Sequence, residues 1–167
     1  MLISLDSEEN RRLANEFDYN SVVVVGVATS SNTPNQTTVY VPDPKIIFHR
    51  YTWMSSLIPI KEKSNLIAEI TIPKGEAVDL NKITNQVIKN LAGVGAIKDE
   101  NDVLFSKAWF NKYGYPIYSL NHNEIRRKAM EILSNYGIKS VGRWAKSFFI
   151  LVKSFYIQMC LVFTGKG

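Results

Sequence analysis

Cysteine is nearly absent from this chain. Cys160 stands alone among 167 residues, which excludes an intrachain disulfide and any cysteine-based metal site. One thiol is compatible with a reducing cytoplasm, the compartment expected here. It lies in an apolar run, where an inert buried thiol is the natural reading. Histidine is almost as scarce. His49 and His122 are far apart and lack metal-ligand spacing, so neither a metal site nor a Ser-His-Asp triad is expected. His122 falls at the start of a helical stretch and is expected to be solvated or to cap it. There is no Gly-x-Gly-x-x-Gly turn, no Gly-Lys-Ser/Thr phosphate loop and no Gly-x-Ser-x-Gly elbow. The first ten residues lack the basic start and long apolar stretch of a secretory signal.

What is present is an ordinary globular composition. At 46% hydrophobic and 21% charged residues, the chain can build one domain with a real core. The net charge of +5 raises the question of a polyanionic partner. The basic residues are scattered, however. Their densest group, Arg126-Arg127-Lys128, shares a helix with Glu124 and Glu131, the pattern of a solvated face. No nucleic-acid partner is expected.

Periodicity gives the elements. Asp6 to Phe17 predicts a helix with Leu13, Ala14 and Phe17 on one face. Four consecutive valines, Val22 to Val25, predict a strand over Ser21 to Val27 buried on both faces. Strands follow at Thr37 to Val41, Lys45 to Arg50 and Asn65 to Ile72, the second after the turn Pro42-Asp43-Pro44. Tyr51 to Lys63 reads as irregular. The spacing of Leu80, Ile83, Val87, Ile88 and Leu91 predicts a helix capped by Asp79 and ended at Gly93 and Gly95. Val103 to Lys112 returns to strand character. Asn121 and Glu124 form an approximate capping box for a last helix that Gly137 ends. This order predicts an α+β fold, a largely antiparallel sheet flanked by helices on one side.

Six segments then occur in a telling order: Asn20 to Val27, Val39-Tyr40-Val41-Pro42-Asp43, Phe48-His49-Arg50, Glu69-Ile70-Thr71, Gly114-Tyr115-Pro116-Ile117-Tyr118 and Gly142-Arg143. Together, over roughly Met1 to Lys146, they resemble the flavin-dependent amine oxidase and protoporphyrinogen oxidase-like superfamily, in the branch that also resembles UDP-galactopyranose mutase. The resemblance implies a substrate domain without its FAD-binding Rossmann half. Residues 1–19 would end that missing domain, 20–140 would be the substrate domain, and 141–167 a return segment. It implies FAD as the cofactor of an intact parent, contacted by Gly142 and Arg143. A small-molecule substrate would lie near Tyr115, Tyr118, His49 and Arg50. No catalytic residue is assigned. For the same residues a packing role stays open: Arg50 pairing with Glu69 across the sheet, Tyr118 in the core, His49 as a satisfied polar group.

After Lys146 the family pattern stops. Phe148 to Phe163 is apolar apart from Lys153, Ser154 and Gln158 and has no carboxylate. A core element, a membrane helix interrupted by Lys153, or a shifted reading frame would each produce it, and the abruptness favours the last. A membrane partner is not expected. The function implied is a substrate-domain part of a FAD-dependent oxidoreductase that passes hydride from substrate to flavin, the chain alone being inactive. The alternatives are part of a flavin-dependent sugar-nucleotide mutase, or a non-catalytic module that pairs with a separate FAD-binding chain.

Overall fold

The valine run forms the centre of the sheet. A computed structural model of the chain describes residues 7–57 and 64–139. The long strand β1 (Tyr19–Thr29) pairs antiparallel with β4 (Ser64–Ile72), from Ser21 opposite Ile72 to Thr29 opposite Ser64. On its other side β4 pairs antiparallel with β3 (Arg50–Trp53), and β3 with β2 (Thr38–Tyr40). With β5 (Val103–Pro116) beside β1, the strand order is β2-β3-β4-β1-β5. The α+β reading holds.

The two faces of this sheet differ. Val23, Val25 and Val27 are buried with Leu66, Ala68 and Ile70 of β4 and with Tyr51 and Trp53 of β3. Helix α2 (Leu80–Gly93) covers that face with Val87 and Leu91, both fully buried. Side chains of this size contribute about 1.5–3 kcal/mol each when removed from water. The Asp79 carboxylate caps α2 by accepting from the Asn81 and Lys82 amides at 3.0 Å. Val24, Gly26 and Ala28 point to the other face and are only half-buried. Burial of β1 on both faces holds at Val22, 4% exposed, and gives way to partial burial from Val24 onward; among the described residues of the stretch 19–115, α2 is the one α-helix and covers the opposite side.

Two boundaries also shift. Lys45 to Ile47 is a turn, because the Asp43 carboxylate accepts from the Lys45 amide and the Asp43 carbonyl from the Ile46 amide. The third strand therefore begins at Arg50. Tyr51 to Trp53 is strand rather than irregular chain, followed by a short 3-10 turn, Met54–Leu57.

By its contacts the chain divides into two compact units; of the described residues, those within 19–115 fall in one, and 7–18 with 116–139 in the other. In the second, α1 (Glu8–Glu16) packs on α3 (His122–Asn135) through Leu13, Ile125 and Ala129, with Phe17 and Ile132 at the margin. Arg127 and Lys128 pair with Glu131 and Glu124 one turn away on the exposed face of α3. The capping box is corrected: Asn121 makes no side-chain cap bond, and its side-chain oxygen Oδ1 accepts from the Ser119 hydroxyl at 2.8 Å instead. A solvated or capping His122 is corrected too. The residue is 7% exposed, its ring edge-on to Tyr118 at 4.8 Å and to Phe17 at 6.0 Å.

Two expectations follow from this packing. A Cβ on Gly114 would sit 2.5 Å from Val22 Cγ2 and 3.1 Å from the Asn20 carbonyl, whereas one on Gly93 meets nothing. Gly114→Ala should cost about 1–3 kcal/mol in urea unfolding through overpacking, while Gly93→Ala leaves stability unchanged or slightly higher. Burial, and then Arg126, lowers the His122 pKa. A depressed histidine contributes stability above its ordinary range and loses it as pH falls through the folded value. Thermal midpoints should therefore drop below about pH 6, with a smaller drop in His122→Phe; equal slopes would contradict it.

Candidate functional site

The register that buries the valines puts a carboxylate on the opposite face. Glu69 lies opposite Val24 on one side and Arg50 on the other, and Arg50 lies opposite Tyr40. Side chains alternate along each strand, so this row shares the half-covered face. Arg50 donates Nε and Nη2 to the two Glu69 oxygens, each at 2.7 Å. The Tyr115 hydroxyl, arriving from the far end of β5, donates to Glu69 Oε2 at 2.7 Å. The Tyr40 hydroxyl lies 3.4 Å from Arg50 Nη1, and the guanidinium stands 6.0 Å from the centre of the Tyr40 ring. His49 Nδ1 is 3.3 Å from the hydroxyl of Thr71, two residues beyond Glu69 on the same face.

The charges are fixed rather than poised. Burial alone would raise the Glu69 pKa, but hydrogen bonds from Arg50 and Tyr115 outweigh it and hold the carboxyl below its ordinary range. Burial opposes the Arg50 charge as well, and the bonds to Glu69 and Tyr40 hold it above the ordinary arginine value. His49 is lowered, first by burial, with Glu69 opposing and Arg50 adding. A general base works best with a pKa near the operating pH. Glu69 is too well stabilised as an anion for that role. It anchors Arg50 and Tyr115 in one geometry, while His49 is a neutral ring at pH 7 that can take up a proton.

Of the residues singled out by sequence, Arg50, Tyr115 and His49 share this face. Tyr118 belongs to the α1–α3 unit, half-exposed against His122. Gly142 and Arg143, with the apolar stretch from Phe148 to Phe163, lie outside the described residues. Glu69 as the hub and Tyr40 as the outer wall were not singled out as site residues. The signal for Glu69 was in view, one acid inside Leu66-Ile67-Ala68-Glu69-Ile70-Thr71-Ile72. Trp109, whose ring lies over Gly26 on this face, had its signal in the glycine that interrupts the valines.

The N-termini of α1 and α2 do not fit the pyrophosphate of FAD. The N-terminus of α2 is already filled by the Asp79 carboxylate and that of α1 by Ser7, so neither offers free amides to an anion. No group of three or more potential metal ligands occurs among the described residues. Nor, among them, is any helix long and apolar enough to cross a membrane.

Breaking a mostly buried bidentate pair from one side leaves an uncompensated charge. Glu69→Gln should lower unfolding free energy by about 3 kcal/mol, and Tyr115→Phe by about 1.5 kcal/mol. The double change Arg50→Met with Glu69→Leu should cost less than Glu69→Gln alone. Because the folded pKa of Glu69 is depressed, its contribution is present above the ordinary carboxylate value and lost as pH falls through the folded one. The cost of Glu69→Gln should accordingly shrink in acid; a cost independent of pH would count against a stabilised anion.

No protein-family model matches this sequence, and no curated protein does. Solved structures do. Over 84% of this chain and 31% of the other, it superposes on a UDP-galactopyranose mutase in its reduced form, with a TM-score of 0.69 at 21% identity. Over 73% of this chain and 29% of the other, it superposes on a protein from Exiguobacterium sp. 255-15, named provisionally as a protoporphyrinogen oxidase, with a TM-score of 0.55 at 14% identity. The chain thus spans under a third of either protein, and it shares its fold with a portion of each.

Proposed function

We propose that this chain supplies the substrate-facing sheet of a FAD-dependent oxidoreductase of the amine oxidase and protoporphyrinogen oxidase-like type. In the intact parent, hydride passes from a small-molecule substrate to the flavin. The observation that carries the reading is the half-covered sheet face, where Arg50, Glu69 and Tyr115 are locked together beside Tyr40 and His49. A preorganised polar row on a rigid sheet orients a ligand at low entropic cost. The aromatic rings offer apolar contact and the hydroxyls direction.

The flavin supplies the hydride-accepting chemistry, and it would be held by an FAD-binding domain outside residues 7–139, on a longer polypeptide or a separate chain. Gly142 and Arg143 would contact it, and Tyr118 would extend the substrate side. A cytoplasmic setting suits a reaction that needs no disulfide.

One observation favours a second reading, a flavin-dependent sugar-nucleotide mutase. The likeness to the mutase covers more of the chain, and at a higher TM-score, than the likeness to the oxidase-type protein.

Amide chemical-shift titration of the labelled chain distinguishes these. Porphyrin, amine and UDP-sugar ligands would be added separately, with FAD as a fourth titrant. The substrate of the parent should shift Arg50, Glu69, Thr71 and Tyr115, and FAD alone should not. Shifts from the UDP-sugar only would select the mutase. Shifts from every class outside β3 and β4, or from none, would sink the substrate-facing reading.

A further inference from the structure

A glycine inside a strand weakens it and often marks a point where another group approaches the backbone closely. Gly26 interrupts the valine run of β1 at such a point. The approaching group is Trp109 of β5. A Cβ on Gly26 would lie 3.1 Å from Cζ3 and 3.4 Å from Cη2 of that ring, so the indole rests on bare backbone. Ala108 packs toward the core under α2. Alternation then sends Trp109 to the opposite, half-covered face, which also carries Arg50, Glu69 and Tyr115.

Packing within the chain uses only part of this ring. Trp109 is 50% exposed, whereas Trp53 of the same sheet is 2% exposed. With Gly26 beneath the indole, the side turned away from the sheet is the open one. Lys107, two positions earlier on the same face, holds Nζ 5.6 Å from the centre of the ring. It makes no ion pair among the described residues. Arg50 and Glu69 neutralise each other, so Lys107 leaves this face with an uncompensated positive charge.

The register sets how far the ring lies from the polar row. Gly26 is opposite Ile67, and Val24 is opposite Glu69. Two residues along and one strand across place Gly26 roughly 8 Å from Glu69. Half-buried Val24 and Ile67 floor the interval between them. A flat, open indole face favours a flat ring stacked with an offset. An unpaired ammonium beside it favours an anion and repels an amine.

We infer that Trp109 is a stacking platform, and Lys107 its charge selector, for a planar conjugated ring that bears a carboxylate or a phosphate. Gly26 acts through the ring, as the positioning residue that lets the indole lie low on the sheet. This rests on the substrate-facing reading of the same face and narrows it: the substrate is a conjugated acid or phosphate ester, long enough to reach the Arg50 row, and not an amine.

The test is a titration of the labelled full chain with four probes. Two are planar anions, 2-naphthoate and 2-naphthyl phosphate. The third, decahydro-2-naphthoate, keeps the charge and loses the flat ring. The fourth, 2-naphthylmethylamine, keeps the ring and reverses the charge. Binding is read at the Trp109 indole N–H, identified by its loss in Trp109→Leu, and at the Gly26 amide. One planar anion or both should bind, and the better of the two shows which acid is preferred. The saturated acid and the amine should bind at least about tenfold more weakly. Lys107→Glu should invert the order and favour the amine, an arm that also shows the variant is folded. No shift at Trp109, or binding of the saturated acid or the amine as tight as that of the planar anions, would overturn the inference. So would a Trp109 signal that moves with protein concentration alone, since the ring would then face a second copy. If parent substrates shift Arg50, Glu69 and Tyr115 while no probe shifts Trp109, the stacking platform fails and the substrate-facing reading stands. If the planar anions bind at Trp109 but no ligand shifts the Arg50 row, the substrate-facing reading fails and the anion-selective platform stands.

Discussion

The register between β1 and β4 is the constraint on which everything else rests. It sets Val24 opposite Glu69 and Val25 opposite Ala68, and through β4 it sets Arg50 opposite Glu69. Alternation then sends Val23, Val25, Val27, Ala68 and Ile70 under α2 and turns Glu69 and Arg50 away from it. A slip of β4 by one residue would turn that strand's two faces over. It would press the Glu69 carboxylate against Val87 and Leu91 and leave Ala68 and Ile70 on the half-covered face.

That coupling explains why an ionic cluster is tolerable in so apolar a strand. A buried ion pair contributes little net stability, because desolvation offsets most of its Coulomb attraction. Here the desolvation is large, since the side chains of Arg50 and Glu69 keep only 14% and 10% of their surface exposed, and three hydrogen bonds to the carboxylate offset it. What the pair supplies is discrimination. Three donor atoms converge on one carboxylate of β4 from two strands, Arg50 of β3 and Tyr115 of β5, and only one register lets them meet. The site and the fold are specified by the same contacts.

Much of this was legible in the sequence because it depends on local period. The valine run, the 3.6-residue spacing after Asp79 and the stop at Gly95 each set one element. The Arg50–Glu69 pairing was also legible as a cross-sheet contact, since both residues interrupt strand-like runs. What was not legible depends on tertiary partners. Val24 looks like its neighbours, and its half-exposure follows only from the placement of α2. His122 looks like a solvated helix start, and its burial follows from Phe17, a residue of another element more than a hundred positions earlier. The turn at Lys45 was hidden because Asp43 competes for the local amides, a side-chain effect that outweighs the β-branched Ile46-Ile47 pair. Tyr115 and Tyr118 sit three residues apart, but the end of β5 sends one to Glu69 and leaves the other with His122.

The electrostatics of the cluster also limit what it can be asked to do. Glu69 is stabilised as an anion by two donors and Arg50 as a cation by two acceptors, so neither changes charge over the range in which enzymes work. His49, neutral at pH 7, is the exchangeable group of this set, and its partner is the Thr71 hydroxyl rather than the ion pair. Fixed charges and fixed rings select and orient a molecule; they do not by themselves make or break its bonds. A sheet face of this kind is suited to present a ligand to a reactive group carried by a facing element. That is a physical reason for so rigid a row on the face that α2 leaves uncovered, and it holds whether the facing chemistry is oxidation or isomerisation.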